Sequence, residues 1–349
     1  MKGIRLMNRW FEANGENSDV VISSKVRLAR NLTKYNFSHK LKNKDAKRMV
    51  DDTLSKFKEM VEFENYHSYN FEDLDQLQKI AMLERHVISP FLINQNTAAG
   101  LVSADENISI MLNEEDHIRI QAFVAGSDME TAYKNADVID DYLSNVVEYA
   151  YNSKYGYLTT CPSNVGTGMR ASYMLHLPAL SGTNKLNGLA SEIGRFGLTI
   201  RSIYGEGTRG LGDIYQISNQ VTLGFSESEI IDNLSNIVYQ IIQQERTARR
   251  QYISRKRVSA EDVVYRSYGV LKYSRKISIK DAMALLSELR MGLEQGLLKV
   301  AANDSFTIYN IMIGIQPANL QLIAERALTE EEIDIERAKF IRENLPFIQ

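Results

Sequence analysis

Cysteine is nearly absent. Cys161 stands alone among 349 residues, so no internal disulfide framework is possible and a reducing, cytoplasmic setting is expected. Only five prolines occur, and no low-complexity stretch or short repeat stands out, which argues against linker-rich and solenoid chains. No apolar run is long enough to span a bilayer, so no membrane association is expected. The opening MKGIRLMNRWFEANGEN lacks the continuous apolar stretch of a secretory signal. Neither sign of charge dominates: 41 Lys and Arg against 44 Asp and Glu leave a net charge of -3, so no bulk field points to nucleic acid or a membrane.

What is present is an ordinary globular composition, 44% hydrophobic, with length for a large domain and a smaller one. Residues 1–18 read as a short lead-in. Asp19 to Ile22 is β-prone, and residues 43–62 have helical spacing. Ile108, Ile110 and Leu112 alternate, as do Ile118 and Ile120, predicting two strands around a polar turn. Residues 128–150 return to helical spacing. Strands are expected over Gly156–Thr160, around Phe196, Leu198 and Ile200, and over Ile214–Leu223. Ser226 with Glu229 forms a capping box opening a helix to about Arg250. Ser259 and Asp262 suggest a further cap, and residues 280–300 and 329–344 read as helices. Strands that do not alternate regularly with helices imply an α+β fold with a largely antiparallel sheet flanked by helices over 19–250. A helical C-terminal domain is expected over 251–349.

Four polar features resist a packing explanation. Three successive carboxylates, Glu114, Glu115 and Asp116, precede His117 and Arg119 at a turn, where mutual repulsion calls for a cation; a solvated turn is the plainer alternative. Cys161-Pro162-Ser163-Asn164-Val165-Gly166-Thr167-Gly168-Met169-Arg170 can expose backbone N–H groups to an anion. It lacks the Gly-Lys-Ser/Thr of a Walker A loop and the third glycine of a dinucleotide fingerprint. A lone cysteine is usually a small buried hydrophobe, but here a nearby arginine would favour a reactive thiolate. Arg201 to Gly210 is a glycine-rich loop carrying Glu206, able to close over a substrate. Lastly, Lys25, Arg27, Arg30, Arg119, Arg170 and Arg201 fall at expected strand ends and turns; gathered by a sheet, they would cage a triphosphate. His86 and His117 have no zinc spacing with other ligands, so no protein metal site is expected.

These segments, in this order, resemble the phosphagen (guanidino) kinase family, most closely its bacterial protein-arginine kinase branch. The likeness runs through residues 19–250 and more weakly to the end, where Val263-Val264-Tyr265-Arg266-Ser267-Tyr268-Gly269-Val270-Leu271 also matches. It implies catalytic carboxylates at Glu115 and Glu206 and a reactive cysteine at Cys161. It implies ATP contacts at Ser23, Ser24, Lys25, Val26, Arg27, His86, Arg119, Arg170, Ala171, Ser172 and Arg201. ATP and Mg²⁺ are the implied cofactors, with the metal held mainly by nucleotide phosphates and water. Two carboxylates can grip a guanidinium, orient it and draw off a proton, which a free guanidinium gives up only above a pKa of about 12.

Two features bear on the acceptor. Small-molecule members of the family carry a helical N-terminal domain of about a hundred residues, a typical small-domain length. Here the first motif begins at Ser23, so an arginine on a protein is the expected acceptor and a small guanidino compound the alternative. The branch further implies a homodimer, an McsA-like zinc-binding activator, a Clp-type unfoldase and protease, and a stress-response repressor as partners. A weakly catalytic adaptor that binds DNA is a third reading, motivated by the run Arg246-Thr247-Ala248-Arg249-Arg250 and Arg255-Lys256-Arg257. A solvated interdomain helix explains that run better, so direct nucleic-acid binding is not expected. Lys25 replaces the family's usual arginine and loses its bidentate fork, which predicts weaker ATP binding. The branch's phosphoarginine-binding motif is degenerate, with Ile333 in place of its first arginine; Asp334 and Arg337 remain, and a plain charged helix is the favoured reading.

Overall fold

The computed structural model describes residues 9–60, 63–206, 209–300 and 307–348, with the side chains of residues 63, 205, 206 and 209 outside that set. Among the described residues there are twelve strands: β1 Val21–Arg30, β2 Tyr66–Asn70, β3 Ala99–Ser103, β4 Ile108–Leu112, β5 Ile118–Ala125, β6 Tyr151–Asn152, β7 Gly156–Tyr157, β8 Met169–His176, β9 Leu198–Ser202, β10 Gly205–Glu206, β11 Arg209–Gly210 and β12 Ile214–Asn219. Eight form one sheet in the order β2-β3-β4-β5-β1-β8-β12-β9, antiparallel at every pairing, as the α+β reading expected. β6 with β7 and β10 with β11 make two small hairpins.

Among the described residues up to Arg255 the α-helices are α1 Asn43–Phe57, α2 Gln76–Glu84, α3 Met129–Val146, α4 Pro178–Gly182, α5 Leu186–Gly194 and α6 Glu227–Arg255. Five follow: α7 Arg257–Tyr273, α8 Ile279–Glu294, α9 Ile308–Gly314, α10 Pro317–Ile323 and α11 Glu330–Asn344. Alternation along the strands sorts the sheet into two faces. One face carries Val26 and Leu28 of β1, Ile118, Ile120 and Ala122 of β5, and Ala171, Tyr173 and Leu175 of β8. These pack against apolar residues of α1, α3, α5 and α6 such as Phe57, Ala136, Ile193 and Leu234. Burying each large side chain contributes about 1.5–3 kcal/mol. The opposite face is polar at its centre and apolar in two places: Phe123, Met174 and Ile214 join Trp10, Phe11 and residues of α7, α8, α9 and α11 in a second core, and Val102 and Met111 join Phe71, Met82 and Leu92 in a third.

Several boundaries differ from the sequence reading. Of the β-prone run Asp19 to Ile22 only Val21 and Ile22 are strand; they open a ten-residue strand that continues through the next segment to Arg30, bulged between Val21 and Ser23. Gly156–Thr160 yields only the two residues of β7, because the Thr160 N–H turns to donate to Asp116 Oδ1 at 2.7 Å. β12 stops at Asn219, whose side chain bonds Ala171, Met169 and Val221 backbone groups instead of continuing the ladder. The capping box at Ser226 is present, and α6 continues past Arg250 to Arg255. Ser259 and Asp262 do not cap a helix: the chain breaks at Lys256 (φ -142°, ψ 47°) and α7 begins at Arg257. α8 ends at Glu294, just ahead of Gly296 in the left-handed region at φ 65°.

The basic run on α6 is not a wholly solvated face. Arg249 is fully buried, with Nε 2.7 Å from Glu245 and its remaining nitrogens donating to the carbonyls of Asp19 and His176. Arg246 makes a bidentate pair with Asp19 at 2.6 and 2.8 Å. These charges bind the start of β1 to α6.

Candidate active site

The polar face gathers the cations by strand register. Arg27 on β1 stands between Gln121 on β5 and Arg170 on β8. Lys25 stands between Phe123 and Ser172, and Ser172 in turn faces Ser218 of β12. Arg119 lies two residues from Gln121 on the same face, and Arg201 of β9 pairs with Gln216 of β12. Lys25, Arg27, Arg170, Arg201 and His86 border a cavity of about 520 Å³, with Tyr204, Gln216 and Gln316 among its other walls.

The cations crowd one another. Burial, followed by Arg119 and Arg170, pushes the Arg27 guanidinium down to about 9. Burial and then Arg27, Arg119 and Arg170 hold the Lys25 ammonium well below its ordinary value, and its Nζ lies 5.1 Å from the Phe123 ring centroid. Arg170 is lowered by burial first and then by Arg201 and Arg119. Such a cluster is desolvated and self-repelling, and a polyanion in the cavity would relieve both costs.

The acidic turn between β4 and β5 divides its labour. Asn113 takes the left-handed conformation at φ 59°, and its amide donates to the Thr97 carbonyl. Glu114 is buried and accepts from Arg119 at 2.5 Å, from the Ser89 hydroxyl at 2.6 Å and from the Glu115 N–H at 2.5 Å. Asp116 is fully buried and accepts from Asn31 and from the Thr160 N–H, both at 2.7 Å, which ties the turn to the segment leading into Cys161. His117 accepts from the Leu32 N–H at Nδ1 and donates from Nε2 to the Asn36 carbonyl, so both ring nitrogens serve the fold. That leaves Glu115, half-exposed, with its carboxylate 3.6 Å from Arg119. Burial first, then the charge of Glu114, raises Glu115 above the usual carboxylate range against the opposing pull of Arg119. A carboxylate so placed is a stronger base than an ordinary glutamate.

Cys161 caps a single 3-10 turn, Pro162–Asn164, and its Sγ lies 3.1 Å from Ser163 Oγ. Arg170 lies within electrostatic reach of both Cys161 and Glu115, so carboxylate, thiol and guanidinium share one neighbourhood. Gly166 and Gly168 of this loop have φ of 115° and 62°, and a Cβ on either would meet backbone oxygens of Thr222 or Ala29 within 2.6 Å. Glycine is required at both.

Ser24, Val26 and Ala171 are separated from the cavity. They sit on the apolar face: Val26 and Ala171 in the core behind the sheet, and Ser24 Oγ bonding Gly126 O and Asp128 N at the start of α3. Ser23 is on the polar face but buried. Arg30 does not join the cation cage, since its strand position points it to the helix side. There it pairs with buried Asp140 at 2.6 Å and donates to Ala29 O and Thr167 O, with its guanidinium 3.5 Å from the Tyr157 ring centroid. Glu206 lies in β10, opposite Arg209 in the hairpin register, and its side chain is outside the described residues. Asp334 and Arg337 do not line the cavity, although Arg337 holds the carbonyl of Ile315, next to Gln316 in the cavity wall. Arg337 is buried, pairs with Asp334 and donates to the carbonyls of Ile315 and Ile277, so it is a packing element of α11 rather than part of a solvated charged helix. Sequence reasoning passed over Gln121, Gln216 and Ser218. The signal was there: polar residues at every second position of otherwise apolar strands, in phase with Arg119 and Arg170.

His86 occupies a left-handed backbone position at φ 63°, and its carbonyl accepts from Gln121 at 2.8 Å. Its Nε2 lies 3.1 Å from the Tyr309 hydroxyl and 3.4 Å from that of Tyr204. Burial, then the charge of Lys25, pushes the imidazole down to about 3, so it is neutral at any working pH.

An antiparallel sheet that presents a cationic cavity large enough for a nucleotide beside a basic carboxylate and a thiol defines a phosphotransferase of the guanidino-kinase type. Comparison with known proteins agrees. Residues 47–248 match the family described as ATP:guanido phosphotransferase, C-terminal catalytic domain, and residues 242–349 match the protein-arginine kinase McsB C-terminal domain. The chain is 43% identical to a protein-arginine kinase of Clostridium kluyveri over 97% of its own length and 99% of that protein's. It is equally identical to one of Bacillus mycoides over 98% of each. Among solved structures, lombricine kinase superposes with a TM-score of 0.58 at 22% identity, covering 66% of this chain and 67% of that one. The duplicated taurocyamine kinase from Schistosoma mansoni gives 0.59 at 24%, covering 65% and 33%. This chain belongs to the ATP:guanido phosphotransferase family, and its near-full-length relatives are protein-arginine kinases.

Proposed function

We propose that this enzyme moves the γ-phosphoryl group of ATP onto the guanidinium of arginine side chains in proteins. The observation that carries the phosphotransfer reading is the crowding of Lys25, Arg27, Arg170 and Arg201 around one cavity, with Arg119 and Glu115 beside it. The name shared by relatives of nearly equal length supports a protein arginine as acceptor. In the transfer, a guanidinium nitrogen attacks the γ-phosphorus, the bond to the ADP oxygen breaks, and the proton lost from nitrogen passes to Glu115. Glu206 and Cys161 would hold the other guanidinium nitrogens, and the arginines would offset charge on the transferring group. Among the described residues no three His, Cys, Asp or Glu side chains converge on one point, and the donor set suits phosphate rather than a resident metal. Mg²⁺ would accordingly be carried on the nucleotide's phosphates, where it neutralises charge.

Within the same reading, residues 19–250 are the catalytic unit and 251–349 a helical region for dimerisation and substrate recruitment. An McsA-like activator, a Clp-type unfoldase and protease, and a stress-response repressor would be the partners of such a kinase, working in the cytoplasm. The test is mass spectrometry of an arginine-rich protein after incubation with enzyme and Mg-ATP, beside free arginine and a Glu115→Gln control. The samples are kept from acid because the P–N bond is acid-labile. Phosphoarginine on the protein and none in the control is expected. Phosphorylation of free arginine alone would overturn the acceptor assignment.

A further inference from the structure

The wall of the nucleotide cavity that carries His86 is fastened to the C-terminal helices at three consecutive residues. Glu84 ends α2, and its two carboxylate oxygens accept from the Ala318 and Asn319 N–H groups, each at 2.9 Å, at the start of α10. Arg85 Nη1 donates to Asn319 Oδ1 at 2.9 Å. His86 Nε2 meets the Tyr309 hydroxyl of α9 at 3.1 Å, and that hydroxyl lies 3.3 Å from the Tyr204 hydroxyl. Tyr204 immediately precedes β10, the strand that holds Glu206. Tyr309 is 2% exposed and has Trp10 at 5.7 Å between ring centroids. Trp10 stacks in turn on Phe123 at 4.6 Å, the ring that carries Lys25. His86 thus has one edge committed to two phenols before any ligand arrives, and its backbone sits in a conformation that non-glycine residues rarely adopt.

We propose that Tyr309, contributed by the C-terminal helical region, is a positioning residue for nucleotide binding: its hydroxyl fixes the orientation and tautomer of His86 in the cavity wall and, through Tyr204, the approach to β10. With the Tyr309 hydroxyl donating to Nε2, the ring proton resides on Nδ1. The phenols and the imidazole are all neutral at working pH, since burial also pushes Tyr204 up to about 12 and holds Tyr309 well above its ordinary value. The cluster is therefore a neutral hydrogen-bond relay whose loss changes geometry rather than net charge. Its consequence is reciprocal: whatever loosens α9 from the sheet weakens nucleotide binding, and nucleotide binding holds α9 down.

This rests on the cavity being the ATP site. The experiment follows quenching of Trp10, the only tryptophan of the chain, on titration with Mg-ADP. It compares wild type, Tyr309→Phe, Tyr204→Phe and Tyr268→Phe. Tyr268 is the control: its hydroxyl donates to the Pro346 carbonyl at 2.9 Å in the same helical core, away from the cavity. Tyr309→Phe keeps the buried ring and is expected to weaken Mg-ADP binding and raise KM for ATP about three- to tenfold, the worth of one neutral hydrogen bond. KM for the protein acceptor should be unchanged. Tyr204→Phe should act in the same direction and Tyr268→Phe not at all. If Tyr309→Phe fails to fold, Tyr204→Phe, which opens the relay from the sheet side, decides alone. Wild type that does not bind Mg-ADP would refute the site assignment. Wild type that binds while Tyr309→Phe and Tyr204→Phe bind equally well would refute the positioning role.

Discussion

Replacing Glu114 by glutamine should move the acid limb of the activity profile to lower pH. Glu114 and Glu115 share Arg119, the first at 2.5 Å and the second at 3.6 Å. The Glu114 charge is the second cause, after burial, that raises Glu115, and Arg119 opposes it. Glu114→Gln removes a like charge from beside Glu115 and frees Arg119 to approach it. Both changes favour the ionised form of Glu115. A neighbouring charge moves a carboxyl by about one unit or more. Because the Glu115 side chain is 39% exposed, solvent screens part of this effect, but both contributions have the same sign and lower the pH at which Glu115 ionises. A base must be ionised to accept a proton, so activity survives to more acid pH in the variant, read as kcat/KM against pH. The same substitution costs stability. Arg119, 10% exposed at its side chain, loses its charged partner, for about 2–3 kcal/mol in chemical denaturation. A stability loss of that size with the limb unmoved, or moved to higher pH, would show that the two carboxylates are not coupled through Arg119.

Other outcomes follow from the buried charges. Arg30→Met should cost about 3–5 kcal/mol by leaving Asp140 unpaired in the core, and it should raise proteolytic sensitivity near Thr167, whose carbonyl Arg30 holds; an unchanged Tm would refute it. His86, His117 and His176 are all depressed, chiefly by burial, with His86 down to about 3. The unfolded chain thus binds protons near pH 6.5 that the folded chain refuses, so stability is intact above that pH and falls as pH drops toward 3. His86→Gln should flatten part of that slope, and an identical slope would argue against a neutral buried imidazole. Gly292→Ala places a Cβ within 2.3 Å of Val264 where α7 crosses α8, and overpacking should cost about 1–3 kcal/mol.

The sheet was legible because its strands alternate, and alternation is a local property. Ile108 to Ile120 gave both strands and the turn between them, but of the motif residues there Glu115 and Arg119 face the cations, while Asp116 and His117 are spent on the fold. Two kinds of information were not local. The first is parity. Reading Ser23 to Arg27 as one binding segment places Ser24 and Val26 beside Lys25 in sequence, yet a strand sends neighbours to opposite faces, so only alternate residues reach the cavity. The same rule sends Arg30 away from Arg27 and into Asp140. The second is what covers the polar face. Tyr309 is 223 residues from His86, and Arg249 is 230 from the Asp19 carbonyl it holds. No periodicity within α6 or α9 distinguishes a side chain that meets another unit from one that meets solvent. The basic run on α6 therefore looked like a solvated stripe, and Tyr309 drew no notice. Burial changes the picture for one reason: desolvating a guanidinium or a phenol is costly unless a partner waits, so a buried polar side chain marks a junction that the fold has to make. Here those junctions run from α6 to the start of β1 and from the C-terminal helices to the wall of the cationic cavity. The region that sequence alone sets apart from catalysis is, in the folded chain, one side of the site.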